Sequence, residues 1–171
     1  NGVVHCGSIK NLQPEQLRGY RRAHFFAGIG GWDYALRLAG WPDDRPVWTG
    51  SCPCQPFSSA GKRQGQADER HLWPDWFRLI RECRPDTIFG EQVASAIGHG
   101  WLDGVFADLE GIGYTCGAVV LGAHSVGAPH IRQRLYWVAH AEQRAAERFG
   151  FDVAAAPRSV EAEARQWQRL R

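Results

Sequence analysis

The chain has 171 residues, 20 lysines and arginines against 18 aspartates and glutamates, a formal net charge of +2, and 44% hydrophobic residues. That length bounds it to one domain of ordinary size, large enough to bury a core without disulfide staples. The apolar fraction excludes a disordered chain, and no run approaches the roughly 20 apolar residues that a membrane-spanning helix needs.

In chain order, residues 1–23 form a mixed N-terminal segment with a short helix expected near Pro14. Residues His24 to Ala27 read as a short buried strand, followed at once by Gly28-Ile29-Gly30-Gly31. A helix is predicted from Trp32 to Ala39, because Trp32, Ala35, Leu36 and Ala39 recur at helical spacing and Gly40 and Pro42 supply the stop. Val47-Trp48-Thr49 is a second buried strand, opening into a long polar loop from Ser51 to Asp68. The next helix, Glu69 to Cys83, carries Leu72, Trp73, Trp76, Phe77 and Ile80 on one face, and Pro85 ends it. Thr87-Ile88-Phe89 is a strand finishing at Gly90-Glu91. A helix holding Trp101, Leu102, Val105, Phe106 and Leu109 follows, then strands near 118–121 and 135–138. Apolar strands alternating with amphipathic helices predict an α/β fold with a mostly parallel sheet. Residues 24–140 are the expected core, and the Ala-, Glu- and Arg-rich segment 141–171 reads as a helical or disordered tail.

Two stretches carry chemistry. The strand–glycine turn–helix around Gly28 to Trp32 lets a ligand approach the backbone and offers it a helix N-terminus. A dinucleotide fingerprint would need a third glycine where Asp33 stands, which argues against a dehydrogenase. The second stretch is Ser51-Cys52-Pro53-Cys54-Gln55-Pro56-Phe57-Ser58, leading to Ala60-Gly61-Lys62-Arg63. Cys54 sits between prolines near a Lys–Arg pair, a setting that favours the nucleophilic thiolate. Two alternatives stand beside that reading: a buried structural thiol, or a zinc site combining Cys52 and Cys54 with Cys6, His5, Cys83 or Cys116. The latter lacks a second Cys pair of suitable spacing. Lys10 and Lys62 are the only lysines, so the basic set is almost wholly arginine, whose planar fork suits phosphate and base edges.

Phe25 to Trp32, the Pro53-Cys54-Gln55-Pro56-Phe57-Ser58 loop and Ala60 to Arg63 resemble motifs of the DNA cytosine-5 methyltransferases. Phe89-Gly90-Glu91-Gln92-Val93 is similar to that family's Glu-Asn-Val motif, with Gln92 in the Asn position. Pro129-His130-Ile131-Arg132-Gln133-Arg134 is similar to its Gln-x-Arg-x-Arg motif, with His130 in the Gln position. The resemblance implies a Rossmann-like methyltransferase core of bacterial or phage type, located in the cytoplasm. It implies S-adenosylmethionine as cofactor and double-stranded DNA as partner, with the target base flipped out of the stack.

By that resemblance Cys54 is the nucleophile, Glu91 grips the pyrimidine ring's N3 edge and supplies a proton, Arg134 holds O2, and Arg132 braces the loop or the DNA backbone. The shared parity of Arg132 and Arg134 on an extended segment would put both on one face. The cofactor would lie along Phe26, Ala27, Gly28, Ile29, Gly30, Gly31 and Trp32, with Phe26 on the adenine and Pro53 beside the methyl group. Gln55, Ser58, Lys62 and Arg63 would contact DNA.

The chain also departs from the family pattern. The interval between Gly31 and Cys54 has room for one helix and one strand, so two strands of the family's sheet are missing there. A permuted order is expected, with cofactor-binding strands or their remnant in 1–23. Gly7-Ser8-Ile9 then resembles the family's Gly-Asp-Ile element, with Ser8 in place of the acid. No target-recognition domain is recognisable after the Arg-x-Arg segment, so a missing segment or a second chain is expected to supply it. With no methionine and a start at Asn1, the chain reads as part of a longer protein. The alternative function is a catalytically impaired fragment that keeps the fold and binds DNA only with that partner.

Overall fold

The computed structural model describes residues 2–53 and 72–141. Its elements are β1 (Arg22–Phe25), α1 (Gly31–Leu38), β2 (Val47–Gly50), α2 (Trp73–Cys83), β3 (Thr87–Val93), α3 (Trp101–Glu110), β4 (Tyr114–Gly122) and β5 (Gln133–Ala141), with short 3₁₀ turns between. The strands form one sheet in the order β1-β2-β3-β5-β4. The β1–β2 and β2–β3 ladders are parallel, and β3–β5 and β4–β5 are antiparallel. Four of the five strands therefore run one way, as expected, and β5 alone is reversed. Among the described residues no helix is long and apolar enough to cross a membrane.

The helices occupy opposite faces of the sheet because strand parity sorts the side chains. Phe25, Trp48, Ile88 and Trp137 point to the α2–α3 side, where Trp76, Leu79 and Ile80 of α2 are completely buried. Each such side chain is worth about 2 kcal/mol relative to exposure, so its apolar face, more than propensity, holds α2 in place. Pro74 in the first turn and Arg84, in a left-handed conformation before Pro85, delimit the helix. Trp73 Nε1 donates to Asp108 Oδ2 at 2.8 Å, tying α2 to α3.

Gly50 and Gly90 are required by this packing. A Cβ at Gly50 would lie 2.4 Å from the Trp76 ring, and one at Gly90 would lie 1.9 Å from the Trp137 ring. The tryptophans lie directly under the strand ends from which the candidate site is built.

Several boundaries differ from the sequence reading. Strand β1 ends at Phe25, two residues early, because Phe26 takes a left-handed φ of 53°. Strand β3 does not stop at Glu91: its parallel ladder with β2 ends at Gly90, but its antiparallel ladder with β5 continues to Val93. Strands β4 and β5 each extend well beyond the expected cores. Residues 2–21 contain no strand. They hold two 3₁₀ turns, Ile9–Asn11 and Pro14–Leu17, packed toward α2, where Arg78 Nη2 donates to the Leu12 carbonyl at 2.7 Å. The Ser8 hydroxyl oxygen caps the first turn by accepting from the Lys10 N–H.

Candidate functional site

The carboxyl ends of β1, β2 and β3 lie side by side, the usual ligand edge of an open α/β sheet. From β1 the chain enters the glycine turn, from β2 it enters Ser51-Cys52-Pro53, and on β3 it passes through Gly90 to Glu91. Gly28 and Gly30 have φ of 54° and 80°, and Gly30 is the N-cap of α1 with no side-chain cap. No heavy atom lies within 4 Å of a Cβ placed on Gly28, Gly30 or Gly31, and Ile29 is fully exposed. The turn is thus an open cradle at a helix N-terminus, suited to a ligand's close approach. Phe26 is held in a left-handed backbone conformation, a strain that clusters at functional sites. Its ring meets Trp76 edge-on at 6.3 Å.

Asp33, in the first turn of α1, is committed to the protein's own cations. It lies 3.0 Å from Arg22 Nη1 and 3.2 Å from Arg37 Nε, while Arg22 also pairs with Asp43 at 2.8 Å. His24 Nε2 stands 4.0 Å from the same carboxylate, and its Nδ1 is 2.8 Å from Thr49 Oγ1. Burial lowers the His24 pKa below its ordinary value, with Asp33 opposing that shift and Arg22 adding to it.

On the α1 face, Glu91 and Arg134 come together. Arg134 Nε is 2.9 Å from Glu91 Oε1, with the side chains 22% and 24% exposed, respectively. Arg134 Nη1 also donates to the Gln133 carbonyl. Gln92 points the other way, is buried, and accepts from the Val93 N–H through Oε1 at 3.0 Å.

Trp32 packs on the strand neighbours of this pair. Its ring stacks on Phe89 at 6.3 Å and meets Tyr136 edge-on at 6.4 Å, while Nε1 donates to Ser51 Oγ at 3.1 Å. Phe89 and Ser51 were quoted within motifs but given no role from the sequence, and Tyr136 was not singled out. Their signal was available: Tyr136 and Phe89 share strand parity with Arg134 and Glu91.

Arg132 corrects an expectation. It precedes β5, has a φ of 24° and is exposed, so the extended parity that would pair it with Arg134 breaks at that residue. Its carbonyl and that of Ile131 instead accept from the Ala123 N–H. Pro53 is exposed at the end of β2's extension. Cys54, Gln55, Ser58, Lys62 and Arg63 lie outside the described residues. Cys52 is buried at 8% exposure, and desolvation pushes its thiol pKa far up, opposite to what a nucleophile needs. Among the described residues no three His, Cys, Asp or Glu side chains are grouped to hold a metal ion.

Residues 41–169 match the profile of the C-5 cytosine-specific DNA methylases. The chain is 28% identical over 166 residues to the Type II methyltransferase M.HhaI of Haemophilus parahaemolyticus, covering 74% of this chain and 51% of that protein. It is 34% identical over 139 residues to the Type II methyltransferase M.NlaX of Neisseria lactamica, covering 79% and 44%. The chain thus spans about half the length of these curated relatives. Its fold is similar to that of the S. pombe Dnmt2 methyltransferase, with a TM-score of 0.57 at 21% identity over 81% of this chain and 57% of that one. It is similar too to the Entamoeba histolytica methyltransferase EhMeth, with a TM-score of 0.54 at 17% identity over 70% and 52%.

Proposed function

The chain belongs to the C-5 cytosine-specific DNA methylases, and from that premise we propose that it carries the chemistry by which a methyl group passes from S-adenosylmethionine to carbon 5 of cytosine in DNA. The observation that carries this reading is the Glu91–Arg134 ion pair at the sheet's ligand edge, an edge that the open glycine turn after β1 shares.

Carbon 5 of cytosine is too weakly nucleophilic to take a methyl group unaided. A thiolate from Cys54 adding to carbon 6 makes an enamine and pushes electron density to carbon 5. Glu91 passes a proton taken up from solvent to N3 as negative charge develops on the ring, and Arg134 binds O2 with its charged fork. The ion pair sets these two groups on adjacent edges of one planar ligand. Once carbon 5 is methylated, water takes its proton, the thiolate leaves carbon 6 and the N3 proton returns to Glu91, which restores the ring. The base reaches these groups only outside the duplex.

The glycine turn fits the cofactor: its backbone is open at Gly28, Gly30 and Gly31, and Phe26 and Trp32 border it. S-adenosylmethionine, when bound, supplies the electrophilic methyl group. Phe26 offers an apolar face to the adenine, Trp32 closes one side, and Pro53 borders the methyl group. Gln55, Ser58, Lys62 and Arg63 contact DNA in this reading, and target recognition comes from a further segment or a second chain.

The test is methyl transfer itself. Labelled cofactor and duplex DNA, hydrolysed to nucleosides after incubation with the 171-residue chain, should yield labelled 5-methyldeoxycytidine with wild-type protein and none with Cys54→Ser. Label appearing on another base, or persisting with Cys54→Ser, contradicts the reading.

A further inference from the structure

Trp32 joins three parts of the candidate site. It belongs to the first turn of α1, directly after the glycine turn. Its Nε1 donates to Ser51 Oγ at 3.1 Å, on the segment leaving β2, three positions before Cys54 in the sequence. Its ring lies against Phe89 and Tyr136, and Tyr136 is the cross-strand partner of Glu91. Phe89 lies two residues before Glu91 on the same face, and Tyr136 two after Arg134.

A cofactor wall would need only the indole's apolar face. The directed N–H bond to Ser51 is a separate feature, and it ties the chain where it leaves β2 to the indole that packs on Phe89 and Tyr136. We infer that Trp32 is a positioning residue, holding the Ser51 exit of β2, which Cys54 follows by three positions in the sequence, against the strands that carry the Glu91–Arg134 ion pair. This rests on the methyltransferase reading, and it assigns Ser51 a role as the hydrogen-bond acceptor in that arrangement.

The experiment follows covalent adduct formation on a random-sequence duplex in which 5-fluorocytosine replaces cytosine, as a function of S-adenosylmethionine concentration. Ser51→Ala and Trp32→Phe should each lower the maximal rate about three- to tenfold, the scale of one lost neutral hydrogen bond. The double variant should be no slower than the slower single, because both remove one interaction. Ser51→Thr, which keeps the acceptor, should restore the rate. For Ser51→Ala, the half-saturating cofactor concentration and the thermal midpoint should match wild type. Wild-type rates in Ser51→Ala, losses that multiply in the double variant, or an effect confined to cofactor half-saturation overturn the inference. Wild-type protein that forms no adduct at all brings down the methyltransferase reading, and this inference with it.

Discussion

Glu91 and Arg134 meet diagonally across the antiparallel β3–β5 ladder. Glu91 is paired with Tyr136 and Arg134 with Val93, and the guanidinium closes the diagonal with Nε 2.9 Å from Oε1. Cross-strand diagonals are within reach of long side chains, so the sheet itself aligns the two groups. Glu91→Gln should cut methyl transfer by about a hundredfold or more, the range of one positioned proton donor. Its stability cost should stay within about 1 kcal/mol, because the pair is partly exposed. Parallel measurements of turnover and urea unfolding check both expectations. A variant that unfolds readily yet turns over normally would reverse the assignment.

The tryptophans beneath the strand ends make Gly90 a sensitive position. Gly90→Ala would drive a methyl group to within 1.9 Å of the Trp137 ring. We expect destabilisation of about 2 kcal/mol, as for overpacked cores, and partial recovery when Trp137→Leu is added. Equilibrium denaturation of the single and double variants measures this directly.

Stability should fall on mild acidification, in part through His24. Its folded pKa lies below the ordinary 6.5, so the unfolded chain binds the proton more readily. The His24 contribution is therefore complete above about pH 6.5 and is lost as pH falls through the folded value. Urea midpoints measured between about pH 7.5 and about pH 5.5 should decline less steeply for His24→Gln than for wild type. Equal slopes would remove His24 from the account.

Two described cysteines should resist alkylation in the native state. Cys52 is buried with its thiol pKa pushed far up, and desolvation followed by the charge of Glu110 raises Cys116 to about 12. Iodoacetamide at neutral pH, followed by peptide mass mapping, should leave both unmodified until denaturant is added. Rapid labelling of Cys52 in folded protein would make it a candidate nucleophile.

The helices were largely legible because their apolar spacing is regular: Trp73, Trp76 and Ile80 name the buried face of α2 before any coordinates do. Strand direction was not, since an apolar run such as Leu135 to Val138 looks the same either way, and β5 proves to be reversed. The early end of β1 depends on the sign of one φ at Phe26, which hydrophobic patterning does not encode. The same limit explains Arg132, whose local backbone breaks an alternation that looked continuous. The resemblance assigned Glu91 and Arg134 to one pyrimidine ring but not to an ion pair with each other, and Ser51 was quoted in the Cys54 stretch without a role of its own. A hydroxyl's value as an acceptor depends on which donor the fold brings to it, here the Trp32 indole.

The most direct measurement is to map the covalent bond. Wild-type protein incubated with S-adenosylmethionine and 5-fluorocytosine duplex, then digested and sequenced by mass spectrometry, should carry the modified nucleotide on the peptide containing Cys54, at that sulfur. A nucleotide found on Cys52, or a wild-type protein that turns over yet leaves no linkage, would contradict the account.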